Sequence, residues 1–232
     1  FWIVRHGIKY TGMPAWPAPE RADEVWDIVA FLLRLPGMEE AEYRRLALGE
    51  TEAAVARVDE ELRLLLLTGP AGHGMAACAR CHGRDGAGDG AFPRLLGQSA
   101  AYLQAALEAY ARGARLSGVM QPVAVALDPA QMRLLAAHYA GQPPAAPDPP
   151  AASEESLALG RRIAREGLPE RGVAACATCH GPGPGASDPL YPRLSGQRAD
   201  HVATQLGLFM TGLRGEAEGP RAGIMARALG LQ

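Results

Sequence analysis

Two short motifs constrain this chain more than anything else in it: Cys78-Ala-Arg-Cys81-His82 and Cys176-Ala-Thr-Cys179-His180. Together they use all four cysteines, so none is left for a disulfide elsewhere. Cysteine pairs at this spacing admit three readings: a zinc site pooling both pairs, two thioredoxin-like dithiols, or covalent attachment of haem. Zinc ribbons bring their pairs within ~15–20 residues, whereas most of a domain separates Cys81 from Cys176. The dithiol reading needs a βαβ pattern, and no period-2 strand is visible around either pair. Haem attachment accounts for the histidine that follows the second cysteine both times. Each sulfur adds to one haem vinyl group, and the two intervening residues match the spacing of the vinyls. The adjacent His then supplies the proximal nitrogen to the iron.

The chain also repeats itself. Cys78 corresponds to Cys176, and downstream Pro93-Arg-Leu-Leu-Gly97-Gln98 corresponds to Pro192-Arg-Leu-Ser-Gly196-Gln197, an offset of 99. Leu107 with Leu206, Tyr110 with Phe209, Gly113 with Gly212 and Arg115 with Arg214 keep that offset. Between the repeats lies Gln142-Pro-Pro-Ala-Ala-Pro-Asp-Pro-Pro-Ala-Ala152, whose prolines favour an extended, semi-rigid spacer. Just before it, Asp128-Pro129-Ala130-Gln131 reads as a capped helix start, followed by the stripe Met132, Leu135, Ala136, Tyr139. Ser153 caps a further helix carrying Leu157, Gly160 and Ile163.

Composition fits a small domain that relies on a cofactor for its core. Hydrophobic residues make up 48% but aromatics only 6%, so an ordinary core would be thin and in need of a staple. A formal net charge of −2 gives no basic field for nucleic acid. No run approaches the ~18 apolar residues that span a membrane, since Leu62–Leu67 is short and broken by Arg63.

These motifs, repeated in this order, resemble class I cytochromes c, and the tandem resembles the dihaem members of that family. The resemblance covers residues 49 to 232. It implies an all-α fold of tandem domains, each with a few helices and Gly/Pro-rich loops wrapped around one covalent haem. The expected organisation is 1–48, 49–141, a linker at 142–152, and 153–232 lacking its closing helix. The resemblance also implies that the carbonyls of Pro93 and Pro192 accept a hydrogen bond from His82 and His180, orienting each ring. Loop stiffening is the plainer role for both prolines.

The attachment motif fixes one axial ligand only, and His/Met ligation would raise the potential and close the iron to substrates. Met120 lies in Leu116-Ser-Gly-Val-Met-Gln-Pro122, read as a non-helical stretch, where the family places its distal Met. Met75 is too close to Cys78 to reach the other face, and Met132 belongs to a core stripe. In the second repeat Met210 aligns with Ala111, which leaves Met225 in Ala222-Gly-Ile-Met-Ala-Arg227, on a loop six residues longer than its counterpart. His6, His73, His138 and His201 read as structural or solvated. Bis-His ligation is the alternative to Met120 and Met225.

Residues 1–48 fit neither repeat. Phe1-Trp-Ile-Val-Arg-His-Gly-Ile-Lys-Tyr-Thr-Gly-Met13-Pro-Ala-Trp16 resembles the distal loop of a further class I domain, with Met13 as its axial ligand. A helix follows, with Val25, Ile28, Val29 and Leu32 on one face. The expectation is a parent protein with three c-type haems, two of them attached here, and a chain that begins midway through the first domain. On that view the Val25–Leu32 face packs on a helix outside the chain and Trp16 lies near the absent haem. The rival is a helical extension that docks on the first complete domain.

The function implied is electron transfer without bond-making chemistry. Single electrons would pass between a dehydrogenase or quinol-oxidising complex and a terminal oxidase or other acceptor. The setting would be the periplasm, with membrane association only through a segment outside this chain or as a subunit of a membrane-bound complex. The alternatives are a haem enzyme, such as a dihaem peroxidase or sulfur-compound dehydrogenase, and a haem-based gas sensor.

Overall fold

The computed structural model describes residues 1–9, 11–39, 42–43, 46, 60–70, 77–144, 152–181, 188–214 and 223–231. His73, Met75, most of the Pro-rich linker and the 215–222 insertion lie outside them, as does the expected boundary at 48–49. Among the described residues the fold is helical. The β-type pairings are isolated bridges, Arg115 with Arg214, Leu168 with Val173 and Val173 with Leu229.

The first repeat is built on α3 (Glu60–Thr68), the one-turn α4 (Cys78–His82), α5 (Ala100–Ala111), α6 (Met120–Val125) and α7 (Pro129–Ala140). Local chemistry sets α7: the Asp128 carboxylate accepts from Ala130 N and Gln131 N, the Gln131 amide returns a bond to Asp128 N, and Pro129 opens the first turn. Its stripe Met132, Leu135, Ala136 and Tyr139 is buried with Leu62, Leu65 and Leu66 of α3 and Leu103 of α5. Met132 is therefore core, as its periodicity implies. The 116–122 stretch differs from its reading as a loop, because Met120 opens α6. Pro122 is tolerated there since the first helical turn has no N–H bonds to lose.

The second repeat holds α8 (Glu154–Glu166), α9 (Ala177–His180), α10 (Ala199–Met210) and α11 (Ile224–Ala228). Ser153 Oγ accepts from Ser156 N and caps α8. The apolar residues Leu157 and Ile163 of α8 are only half-buried, and Leu159 is 49% exposed. Leu208, 8% exposed, is the one buried apolar side chain described in this repeat, whereas the first repeat has a cluster of nine. Fewer apolar contacts within the polypeptide leave this repeat more dependent on whatever fills its centre.

The N-terminal segment contributes α1 (Trp2–His6) and α2 (Ala22–Arg34). Val25 is completely buried, but Leu32 is 45% exposed, so the expected apolar face is covered only at its N-terminal end. Trp16 meets the first repeat. Its indole packs on Gly118 of the first repeat, so closely that a Cβ there would sit 2.1 Å from Trp16 Nε1. Glycine is the residue that permits this approach.

Candidate functional site

Each attachment motif coils into a single helical turn, which puts its two cysteines on one side three residues apart. His82 is 7% exposed and donates from Nδ1 to the Pro93 carbonyl at 3.0 Å. His180 makes the same bond to Pro192 at 2.7 Å. A carbonyl only accepts, so the proton sits on Nδ1 and Nε2 keeps its lone pair. Burial lowers the His82 pKa against the pull of the Pro93 bond, which favours the neutral, ligating form.

Burial pushes the Cys78 thiol up to about 11 and raises Cys81 as well. Reactive dithiols need the opposite shift. Among the described residues, all four cysteines included, no three His, Cys, Asp or Glu side chains are placed to hold a metal ion together. Geometry thus disfavours the zinc reading, and burial disfavours the dithiol reading of the first pair.

Both motifs open on one continuous cavity of about 1640 Å³, whose walls include Cys78, Cys81, His82 and Met120 from one repeat and Cys176, Cys179, His180 and Met225 from the other. Pro93 and Pro192 line it too. Met132 and Met13 are not in its walls, and Met210 is 63% exposed. Met13 is half-buried in a tight turn, its carbonyl accepting from Ile8 N at 3.0 Å and its N–H donating to Thr11 Oγ1 at 3.2 Å. His138 donates from Nε2 to the Arg84 carbonyl at 2.9 Å, a structural role.

Two arginines that correspond in the repeats meet at the cavity wall. Arg115 lies over the Tyr110 ring and Arg214 over the Phe209 ring, each with its guanidinium carbon 4.6 Å from the centroid. Both guanidiniums reach Gln205 Oε1, and no carboxylate partner is described for either. Burial, reinforced by the charge of Arg115, brings Arg214 down to about 10. Burial pushes the Tyr102 phenol up, but the two guanidiniums outweigh it and its pKa is lowered. Burial, then both arginines, take His201 down to about 3. Buried positive charge without an acid nearby among the described residues fits a ligand that brings its own carboxylates. A haem has two propionates, so a large apolar space, paired thiols, an oriented imidazole and unneutralised arginines together fit haem c.

Gln98, Gln197, Arg94 and Arg193, to which sequence reasoning assigns no role, join the repeats. Gln98 Nε2 donates to Arg193 O at 2.8 Å while its Oε1 accepts from Arg193 N at 2.9 Å. Gln197 does the same to Arg94, at 2.9 and 3.0 Å. Arg94 and Arg193 then donate to the carbonyls of Gly196 and Gly97. The signal was the unbroken Pro-Arg-Leu-x-Gly-Gln repetition, whose residues recur because they occupy two halves of one symmetric contact.

Comparison with known proteins gives a consistent set. The family model described as "Cytochrome c" matches residues 69–139. The thiosulfate dehydrogenase electron acceptor of Stutzerimonas stutzeri (strain A1501) is 40% identical over 160 residues, 66% of this chain and 72% of that protein. Cytochrome c4 of Thiocapsa roseopersicina is 38% identical over 156 residues, 65% of this chain and 78% of that one. Among solved structures, thiosulfate dehydrogenase (TsdBA) from Marichromatium purpuratum superposes with a TM-score of 0.63 at 36% identity. That match covers 75% of this chain and 36% of the longer one.

Proposed function

This chain belongs to the dihaem class I c-type cytochromes, and on that basis we propose that it is a two-centre electron relay with His82/Met120 and His180/Met225 as the axial pairs. Electron transfer is its activity, and the relatives it covers along most of their length are an electron acceptor and a cytochrome c4 rather than enzymes. The observation that carries the axial assignment is the single cavity walled by both attachment motifs and by Met120 and Met225.

Bound haem c supplies a one-electron iron couple at each motif. Cys78 and Cys81, and likewise Cys176 and Cys179, hold it by thioethers. Pro93 and Pro192 fix the rings of His82 and His180 and increase their donor strength. Met120 and Met225 close the sixth position, which excludes water and small ligands and raises the potential. Arg115 and Arg214 neutralise propionate charge between the centres. No atom of the polypeptide changes its bonding during turnover.

The donor we propose is a thiosulfate-oxidising dehydrogenase, by analogy with the relative named as its electron acceptor. The setting is the periplasm. Among the described residues no helix is long and apolar enough to cross a membrane. A third haem, held in part by Met13, is proposed for the parent protein.

Haem content and the near-infrared Met-to-iron charge-transfer band test the assignment. The full chain should retain two haems through acid-acetone extraction and show two bands. Met120→Ala and Met225→Ala should each remove one. Retention of both bands in either variant would overturn that ligand.

A further inference from the structure

We propose that Glu24 is a positioning residue for Met120, acting through Ser117, so that the N-terminal segment sets the ligation of the first haem. This rests on the reading of Met120 as that haem's distal ligand.

Glu24 stands in the first turn of α2, and its side chain is only 11% exposed. One carboxylate oxygen accepts from Ser117 Oγ at 2.6 Å. The other accepts from Gly118 N at 2.7 Å and from Trp16 Nε1 at 3.2 Å. Arg21, 9% exposed at its side chain, pairs with Glu24 at 3.2 Å and donates to Leu116 O at 2.8 Å. Arg21 is itself held by both oxygens of Asp23, at 2.9 and 2.8 Å. Three consecutive residues, 116 to 118, are therefore gripped by one acid–base unit nearly 95 residues away in sequence.

The consequence for Met120 follows from the direction of the bonds. Ser117 is 3% exposed and has one hydroxyl proton. Because Glu24 takes that proton, the Ser117 lone pairs point elsewhere, and Oγ accepts from Met120 N at 3.1 Å. The carboxylate thus orients the hydroxyl that caps the first turn of α6. An ionised acceptor makes this bond stronger than a neutral one. Among the described residues, backbone bonds around α11 come from its own repeat, Ala174 N to Ala228 O at 2.8 Å and Leu229 N to Met225 O at 3.0 Å. The two distal methionines are held by different means, and only the first answers to the N-terminal segment.

The test uses the full haem-loaded chain, with the second haem as internal control. Glu24→Ala and Ser117→Ala should each lower the potential of the first haem, weaken its near-infrared band and raise the fraction of reduced first haem that takes up carbon monoxide by about tenfold, the size expected for loss of one charge-assisted hydrogen bond. The second haem should be unchanged. Ser117→Thr, which keeps a hydroxyl, should restore the first haem. Ser117→Ala leaves the Arg21 and Gly118 contacts in place, so its effect does not require the N-terminal segment to come away. If Ser117→Ala leaves potential, band and carbon monoxide uptake as they were while Met120→Ala abolishes the band, the relay is wrong and the ligand right. If Met120→Ala leaves the band intact, the ligand reading falls and the relay with it.

Discussion

Gln98 holds Arg193 by both atoms of one amide, donating to its carbonyl at 2.8 Å and accepting from its N–H at 2.9 Å. The contact copies a ladder pairing between strands, with a side chain standing in for one backbone. Gln98 is 6% exposed, so losing it strands two backbone groups away from water. Gln98→Ala should cost about 2 kcal/mol, read as a lowered denaturation midpoint. The double variant with Gln197→Ala should also slow electron equilibration between the haems in flash-reduction experiments. Unchanged equilibration would mean that other contacts fix the haem separation.

Met132 offers a contrast with Met120 and Met225, the proposed ligands. It is 5% exposed within the α3–α5–α7 cluster. Met132→Ala should destabilise the first repeat by about 2–5 kcal/mol through the cavity it leaves. Both Met-to-iron bands should survive in the folded protein, and loss of one would assign Met132 to an iron.

The Arg21–Asp23 pair makes the N-terminal contact acid-sensitive. Burial would raise the Asp23 pKa, but the bonds from Arg21 prevail and hold it below its ordinary 3.8. Above that value both folded and unfolded chains are ionised and the pair contributes fully. Below it the unfolded chain protonates first, and the contribution is gone once pH passes the folded value. Emission from Trp16 should therefore rise between about pH 5 and about pH 2 as the segment lifts from Gly118. Asp23→Asn should remove that step while leaving the segment weaker at neutral pH.

Removing one attachment site should expose the unequal cores. Only Leu208 is a buried apolar residue in the described second repeat. In Cys176→Ala/Cys179→Ala, amide exchange protection should be lost across α8 to α11, while α3, α5 and α7 keep theirs. Equal protection in both repeats would show that the second folds without its haem.

Much of this was legible because it is local. The cap at Asp128, the stripe through Tyr139 and the two attachment motifs each lie within a few residues of sequence, where spacing reports geometry directly. The helix that Met120 opens is not legible in the same way, since Gly118 and Pro122 look like breakers until the turn position of Pro122 is known. The grip of Arg21 and Glu24 on residues 116–118 leaves no periodic trace, because its partners are separated by most of a repeat. The packing of Trp16 on Gly118 is hidden for the same reason, since nothing local to Trp16 points to it.

Gln98 on Arg193 and Gln197 on Arg94 are one contact written twice, which makes the joint between the halves self-complementary. Such a surface on separate molecules would build a two-fold homodimer. Carrying both halves on one chain turns that encounter into an intramolecular one, raising the effective concentration of each half for the other. Dilution that would dissociate a pair of single-haem proteins leaves this pair assembled, so the distance an electron must cross does not depend on how much protein is present.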